Sequence, residues 1–204
     1  MKTPPILLLF LAALGAAGCR TSPNPAEQEG QAGRLPFDYE RFAGSPEYRF
    51  SRDIWKKDDR IAAAHGRNSE VVILRGVQRG RLYVNGEIAM DFPICSGRTG
   101  RTTPAGNFRI TQKAKDYRSN LYGAVTDAAG KIVNRSATPA SPVPAGGRYV
   151  PAEMPYWMRI NGAIGLHVGN VYREENSHGC IRVPREACEI LFDKLDVGSR
   201  VVVK

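Results

Sequence analysis

Cysteine and histidine are the residues of this chain best suited to covalent chemistry, and they converge on one short segment. Cys180 lies in Asn176-Ser-His-Gly-Cys-Ile-Arg182, and His167 lies thirteen positions upstream in Gly165-Leu-His-Val-Gly169. A thiol attacks as the thiolate, so at neutral pH it needs a nearby base or a depressed pKa. His178 is nearest in sequence, but residues two apart on an extended segment point the same way without touching. A histidine on an adjacent strand can face the sulfur directly, which favours His167 as the base. Gly179, just before the thiol, lets backbone approach closely. The chemistry this pattern suits is nucleophilic attack by a cysteine thiolate.

Other readings of the same residues are weaker. His167, His178, Cys180 and Cys188 would make four zinc ligands, but Cys188 falls in an apolar helical stripe and no C-x-x-C or H-x-x-x-H pair occurs. A buried structural thiol at Cys180 fits poorly with a polar Ser-His-Gly lead-in. A redox-sensing thiol would want a resolving partner, and Cys188 is poorly placed for that. Cys95 and Cys188 pack in the core or pair with each other; spacing does not decide. His65, in Ala62-Ala-Ala-His-Gly66, reads as a surface residue.

The elements that must position these residues are mostly strands. Val71-Val-Ile-Leu74 is a β-branched run. Arg81-Leu-Tyr-Val84 and Ile88-Ala-Met-Asp-Phe-Pro-Ile-Cys95 flank Asn85-Gly86, a strong hairpin signal because both turn residues tolerate positive φ. Thr103-Pro-Ala-Gly106 reads as a turn, and Asn107-Phe-Arg-Ile-Thr111 alternates like a half-buried strand. Residues 112–156 are polar and rich in turn formers, and read as a long lid or binding loop. Trp157–Ile160 and Ile164–Val168 are strand-like. Pro184–Leu195 reads as a helix with Pro184 at its first position and Ala187, Cys188, Leu191, Phe192 and Leu195 as one stripe. Arg200–Val203 closes the chain as a strand. The expected fold is mainly β, with one or two short helices.

The N-terminus reads as an export signal over residues 1–18. Lys2 precedes the apolar run Ile6–Leu14, and Leu14-Gly-Ala-Ala-Gly-Cys19 resembles a bacterial lipobox, which implies acylation of Cys19. That nine-residue run is the longest apolar stretch, far short of the ~20 residues a membrane-spanning helix needs, so a multi-span protein is excluded. Residues 19–50 read as a flexible tether, its first half lacking large apolar residues, and 51–69 as an N-terminal arm; Phe37, Tyr39, Phe42, Tyr48 and Phe50 leave open the alternative that the tether's second half packs on the domain as an irregular arm. Of 204 residues, 42% are apolar and 24% charged, which argues against global disorder. The net charge of +9 sits after residue 50, where 24 basic residues face 15 acidic ones. A basic surface of this kind attracts anionic polymers.

Ser177-His-Gly-Cys-Ile-Arg182, with Leu166-His-Val-Gly169 upstream, resembles the signature of the YkuD-type L,D-transpeptidases. Thr103-Pro-Ala-Gly-Asn-Phe108 is similar to their strand turn, and Arg118–Gly123 and Met154–Met158 resemble segments of one branch. The stretch between His167 and Ser177 is shorter than in the best-known members, and Arg182 stands where many carry Asn. The resemblance covers residues 70–204 and implies a β-sandwich or barrel-like mixed-sheet catalytic domain. It implies attack by Cys180 on a peptidoglycan stem peptide, with His167 as base and acid, oriented by a backbone carbonyl just after it. The amides of His178, Gly179 and Cys180 would stabilise the oxyanion, Ser177 and Arg182 would hold the loop and charged substrate groups, and Tyr156 would line the pocket. No cofactor or metal is implied. The expected setting is the cell envelope outside the cytoplasm, as a monomer held to the membrane by the Cys19 lipid, with no nucleic-acid partner. A wall-binding module without turnover is the competing class, but a binder has no need of a nucleophile.

Overall fold

The structure, a computed structural model, describes residues 37–172 and 174–204. The signal segment, Cys19 and the tether as far as residue 36 lie outside the described residues.

In chain order the arm supplies α1 (Phe37–Ala43), β1 (Trp55–Lys56) and α2 (Asp58–Ala62). β2 (Ser69–Leu74), β3 (Arg79–Val84) and β4 (Glu87–Pro93) then form a meander. The β3–β4 turn is Asn85-Gly86 with φ of 51° and 82°, the left-handed pair that a tight two-residue hairpin demands. β5 (Gly106–Arg109) and β6 (Gln112–Ala114) follow. The segment expected to be a lid loop instead holds β6, β7 (Arg118–Thr126), β8 (Ile132–Ala137) and β9 (Arg148–Glu153). β10 (Trp157–Asn161), β11 (Ile164–Val168) and β12 (Ile181–Val183) carry the site, and α3 (Arg185–Lys194) and β13 (Arg200–Val203) complete the chain.

Three sheets result. One has six strands in the order β1-β4-β3-β2-β13-β5, one has four in the order β12-β11-β10-β6, and one has three in the order β8-β7-β9. Val71, Ile73, Leu82, Met90 and Val201 of the first sheet share a single core with Met158, Ile160, Leu166, Ile181 and Val183 of the second. Ala187, Cys188, Leu191 and Leu195 on and just beyond α3 complete that core. Burying such side chains contributes about 1.5–3 kcal/mol each, which makes the second sheet a rigid platform for what it carries. Pro184 sits one place earlier than expected, as the residue before the first helical turn, because its ψ of 146° is extended.

Within the stretch expected as a tether, Tyr39 and Tyr48 reach the first sheet, in keeping with the alternative of an irregular packed arm. Tyr39 is fully buried, and its hydroxyl donates to Asp91 Oδ2 at 2.8 Å, as does the Tyr48 hydroxyl at 2.7 Å. Asp91 is itself buried and paired with Arg79 at 2.7 Å and Arg81 at 3.1 Å. Arg79 also donates to the carbonyls of Ser51 and Asp53 and lies against the rings of Phe42 and Tyr48. A buried carboxylate needs this many donors, because an unpaired one would be costly.

Candidate active site

β11 and β12 run parallel, with Leu166 beside Ile181, His167 beside Arg182 and Val168 beside Val183. Residues in register on neighbouring strands share a face, and faces alternate along each strand. Leu166 and Ile181 point into the core, so His167, Arg182 and, one step before β12, Cys180 share the opposite face. His167 and Cys180 line one cavity of about 300 Å³. His178, Arg182, Asn170 and Tyr172 line it as well.

His167 is 7% exposed, and its Nδ1 lies 2.8 Å from the Val168 carbonyl oxygen. A carbonyl oxygen cannot donate, so Nδ1 carries the proton and Nε2 keeps its lone pair. The same peptide unit is held from its other end, where the Gly169 amide donates to Val183 O at 3.1 Å. Burial pulls the His167 pKa down to about 4, with the nearby Arg182 guanidinium acting in the same direction and the Val168 hydrogen bond opposing. Cys180 is partly exposed; its thiol donates weakly to Ala163 O at 3.6 Å. Burial pushes its pKa up, against a backbone hydrogen bond from Gly165 and the charges of Arg182 and Arg159. Burial thus disfavours the charged form of both groups.

The catalytic loop is fixed from below by the segment after β4. Ser96 O accepts the amides of both Asn176 and Ser177, and the Arg98 amide donates to Ser177 O. Gly97 packs so tightly on Gly179 that a Cβ would lie 2.9 Å from the Gly179 Cα. Thr103, expected only as part of a turn, is fully buried: its hydroxyl donates to Gly179 O at 2.7 Å and accepts the Gly97 amide at 2.9 Å. Within the loop the Ser177 hydroxyl donates to Cys180 O at 2.5 Å. Gly179 has φ of 120°, so glycine is required here by backbone conformation rather than by space.

Two expectations need correction. The Gly179 amide donates to Ser177 Oγ at 3.0 Å and so is occupied, not open to an oxyanion. The amides of His178 and Cys180 have no protein acceptor among the described residues. Tyr156 does not line either cavity at Cys180. Its φ of 57° turns the side chain onto α3, where the ring packs edge-on against Phe192 at 5.4 Å and under Arg185. The position matters through its backbone: the preceding Pro155 carbonyl accepts the Val168 amide at 2.9 Å. His65 is exposed, and Cys95 and Cys188 are buried free thiols. Among the described residues no cluster of side chains is arranged to hold a metal ion.

Tyr122 of β7 was not singled out by sequence. Its ring stacks on the His178 imidazole with centroids 4.7 Å apart. Burial and the Arg98, Arg101 and Arg182 charges all lower the His178 pKa, which keeps that imidazole neutral for stacking.

The family model for the L,D-transpeptidase catalytic domain, YkuD, matches residues 69–203. Among solved structures, an L,D-transpeptidase from Mycobacterium smegmatis superposes with a TM-score of 0.51 at 18% identity, covering 67% of this chain and 58% of that one. An L,D-transpeptidase from Stackebrandtia nassauensis gives 0.50 at 20% identity, with coverage of 72% and 63%. An L,D-transpeptidase in complex with imipenem gives 0.50 at 21%, with coverage of 67% and 59%. At these identities the likeness is one of fold, and this chain matches about three fifths of each of those proteins. No curated protein matches the chain. On the match over residues 69–203, which carries both His167 and Cys180, the chain belongs to the YkuD family of L,D-transpeptidase catalytic domains.

Proposed function

We propose that this protein is a peptidoglycan L,D-transpeptidase that forms 3→3 cross-links through an acyl-enzyme on Cys180. The observation that carries this reading is the shared face of β11 and β12, where an imidazole with a free Nε2 and a thiol meet at one cavity. Cys180 attacks the carbonyl that joins the third residue of a tetrapeptide stem to its terminal D-amino acid. His167 Nε2 takes the thiol proton as the C–S bond forms, because neither partner is ionised beforehand. Charge then develops on the carbonyl oxygen, where the amides of His178 and Cys180 are the available donors, each worth a few kcal/mol in such a role. The imidazolium returns its proton to the departing amine, leaving a thioester. The amine of a second stem attacks the thioester, and the amide of the cross-link replaces the C–S bond. Arg182, whose stem packs over Gly169 at the cavity, holds a substrate carboxylate.

The lipobox-like run ending at Cys19 supports placement in the cell envelope on a lipid anchor. Peptidoglycan stems are the partner, and the domain works as a monomer without a cofactor. The reading is tested by incubating the purified protein with tetrapeptide-stem muropeptides and weighing the products. Cross-linked dimers lacking one terminal D-residue are expected. Binding without any product would establish a non-catalytic wall-binding protein instead, and hydrolysed or D-amino-acid-exchanged stems alone would change the acceptor.

A further inference from the structure

Two cavities meet at Cys180. The larger, about 300 Å³, contains His167, Arg182 and Asn170. The smaller, about 100 Å³, is walled by Leu121, Ala163 and Ile164. Tyr122 and His178 line both, so their stacked rings stand at the boundary. Tyr122 is held firmly there. Its phenol oxygen accepts a hydrogen bond from Arg101 Nη1 at 2.5 Å, the Arg101 guanidinium lies 5.8 Å from the ring centre, and its amide donates to the buried Ser119 hydroxyl at 3.0 Å. Arg101 belongs to the same segment as Thr103, which grips Gly179. The stack therefore joins the three-stranded sheet, the loop under the thiol and the catalytic loop.

We propose that Tyr122 is a positioning residue that keeps water from the acyl-enzyme and so sets the ratio of amine transfer to hydrolysis. This rests on the acyl-enzyme reading above. The thioester has two fates. An amine N–H adds to its carbonyl, the C–S bond breaks, an amide forms, and the proton reaches the sulfur through His167. Water adds in the same way and yields a carboxylic acid and the same free thiol. The amine is captured by recognition of its stem; water needs only access. An aromatic wall between the cavities closes off part of the carbonyl's surroundings, and its stacking face holds the His178 peptide, whose amide faces the developing charge. Removing the ring joins the cavities and loosens that amide, which favours the small, mobile acceptor.

The test uses the full chain, a tetrapeptide-stem muropeptide as both donor and acceptor, and mass-resolved product ratios with the acyl-enzyme followed by intact mass. Tyr122→Ala is expected to raise the hydrolysis-to-transfer ratio about tenfold while Cys180 still acylates, in line with the loss of one aromatic contact. Tyr122→Phe, which keeps the stacking face, is expected to restore the ratio to within about twofold of the wild type. Arg101→Met, which removes the guanidinium at the ring as well as the phenol's hydrogen bond, gives an intermediate shift and serves if the alanine variant does not fold. A merely structural role would lower both products together. An unchanged ratio in Tyr122→Ala and Arg101→Met, with acylation intact, overturns this inference alone. Failure of the wild type to acylate at all overturns it together with the proposed function.

Discussion

Replacing His167 with Gln removes the most buried imidazole of the chain and, with it, a defined pH dependence of stability. The folded protein holds His167 at a pKa of about 4, chiefly by burial, against an ordinary value of 6.5. Between those two values the unfolded chain binds a proton that the folded chain refuses. Stability from this group is therefore fully present above about pH 6.5 and is lost as pH falls toward 4. Linkage over that shift gives about 3 kcal/mol in total, of which about 2 kcal/mol is lost between pH 7 and pH 5. The assay is urea unfolding of wild type and His167→Gln at both pH values. Carboxylates, His65 and His178 are common to both proteins and cancel in the double difference, so the wild type is expected to lose about 2 kcal/mol more than the variant on acidification. Equal losses would refute the reasoning. So would an NMR titration that places the His167 midpoint above 7, since that would mean an imidazolium paired with a thiolate at rest.

If Cys180 is the proposed nucleophile, the wild type is expected to form one covalent adduct with a carbapenem, which Cys180→Ala abolishes and Cys95→Ser and Cys188→Ala retain; intact-mass measurement and peptide mapping check this. Thr103→Val leaves the Gly179 carbonyl and Gly97 amide unpaired in a buried site, with an expected loss of about 3 kcal/mol in chemical denaturation and slower acylation of Cys180. Cys19→Ser is expected to move the protein from membrane to soluble fractions, and retention of the processed variant at the membrane would argue against the lipid anchor.

What could be read from the sequence was local. The Asn85-Gly86 hairpin and the strands around it follow from conformational rules that act over a few residues. That His167 and Cys180 come to one cavity could be anticipated because a strand-like run carrying a histidine lies just upstream of the Ser-His-Gly-Cys segment. The three-stranded sheet was not legible, because β8 is exposed over Ile132–Ser136 and carries no alternation of burial for a period-two signal to reveal. The aromatics of the arm marked it as a segment that could pack on the domain, but not the partners it packs against. Buried Tyr39 and half-buried Tyr48 meet Asp91, Arg79 and Arg81, residues more than thirty positions away, and no local pattern names those partners. Tyr156 is the sharpest case. The family resemblance implied a place in the pocket, but a left-handed backbone turns the ring onto Phe192.

Burial disfavours the charged forms of both His167 and Cys180, which bears on how the thiols of this chain meet oxidants. Thiolates, not thiols, are oxidised and exchange disulfides. Burial pushes the Cys188 thiol up to about 12, and both Cys188 and Cys95 are closed to solvent. Cys180 is partly exposed, and burial around it disfavours the thiolate. A preformed thiolate–imidazolium pair would speed attack, but it would also present a standing target to oxidants. Under the proposed mechanism, thiolate character would arise only as His167 takes the proton of Cys180. The same burial that lowers the His167 pKa also strengthens, through a low local dielectric, the hydrogen bond from Nδ1 to Val168 O that stabilises the imidazolium once it forms. The strain of charging the site is thereby deferred to the reaction itself.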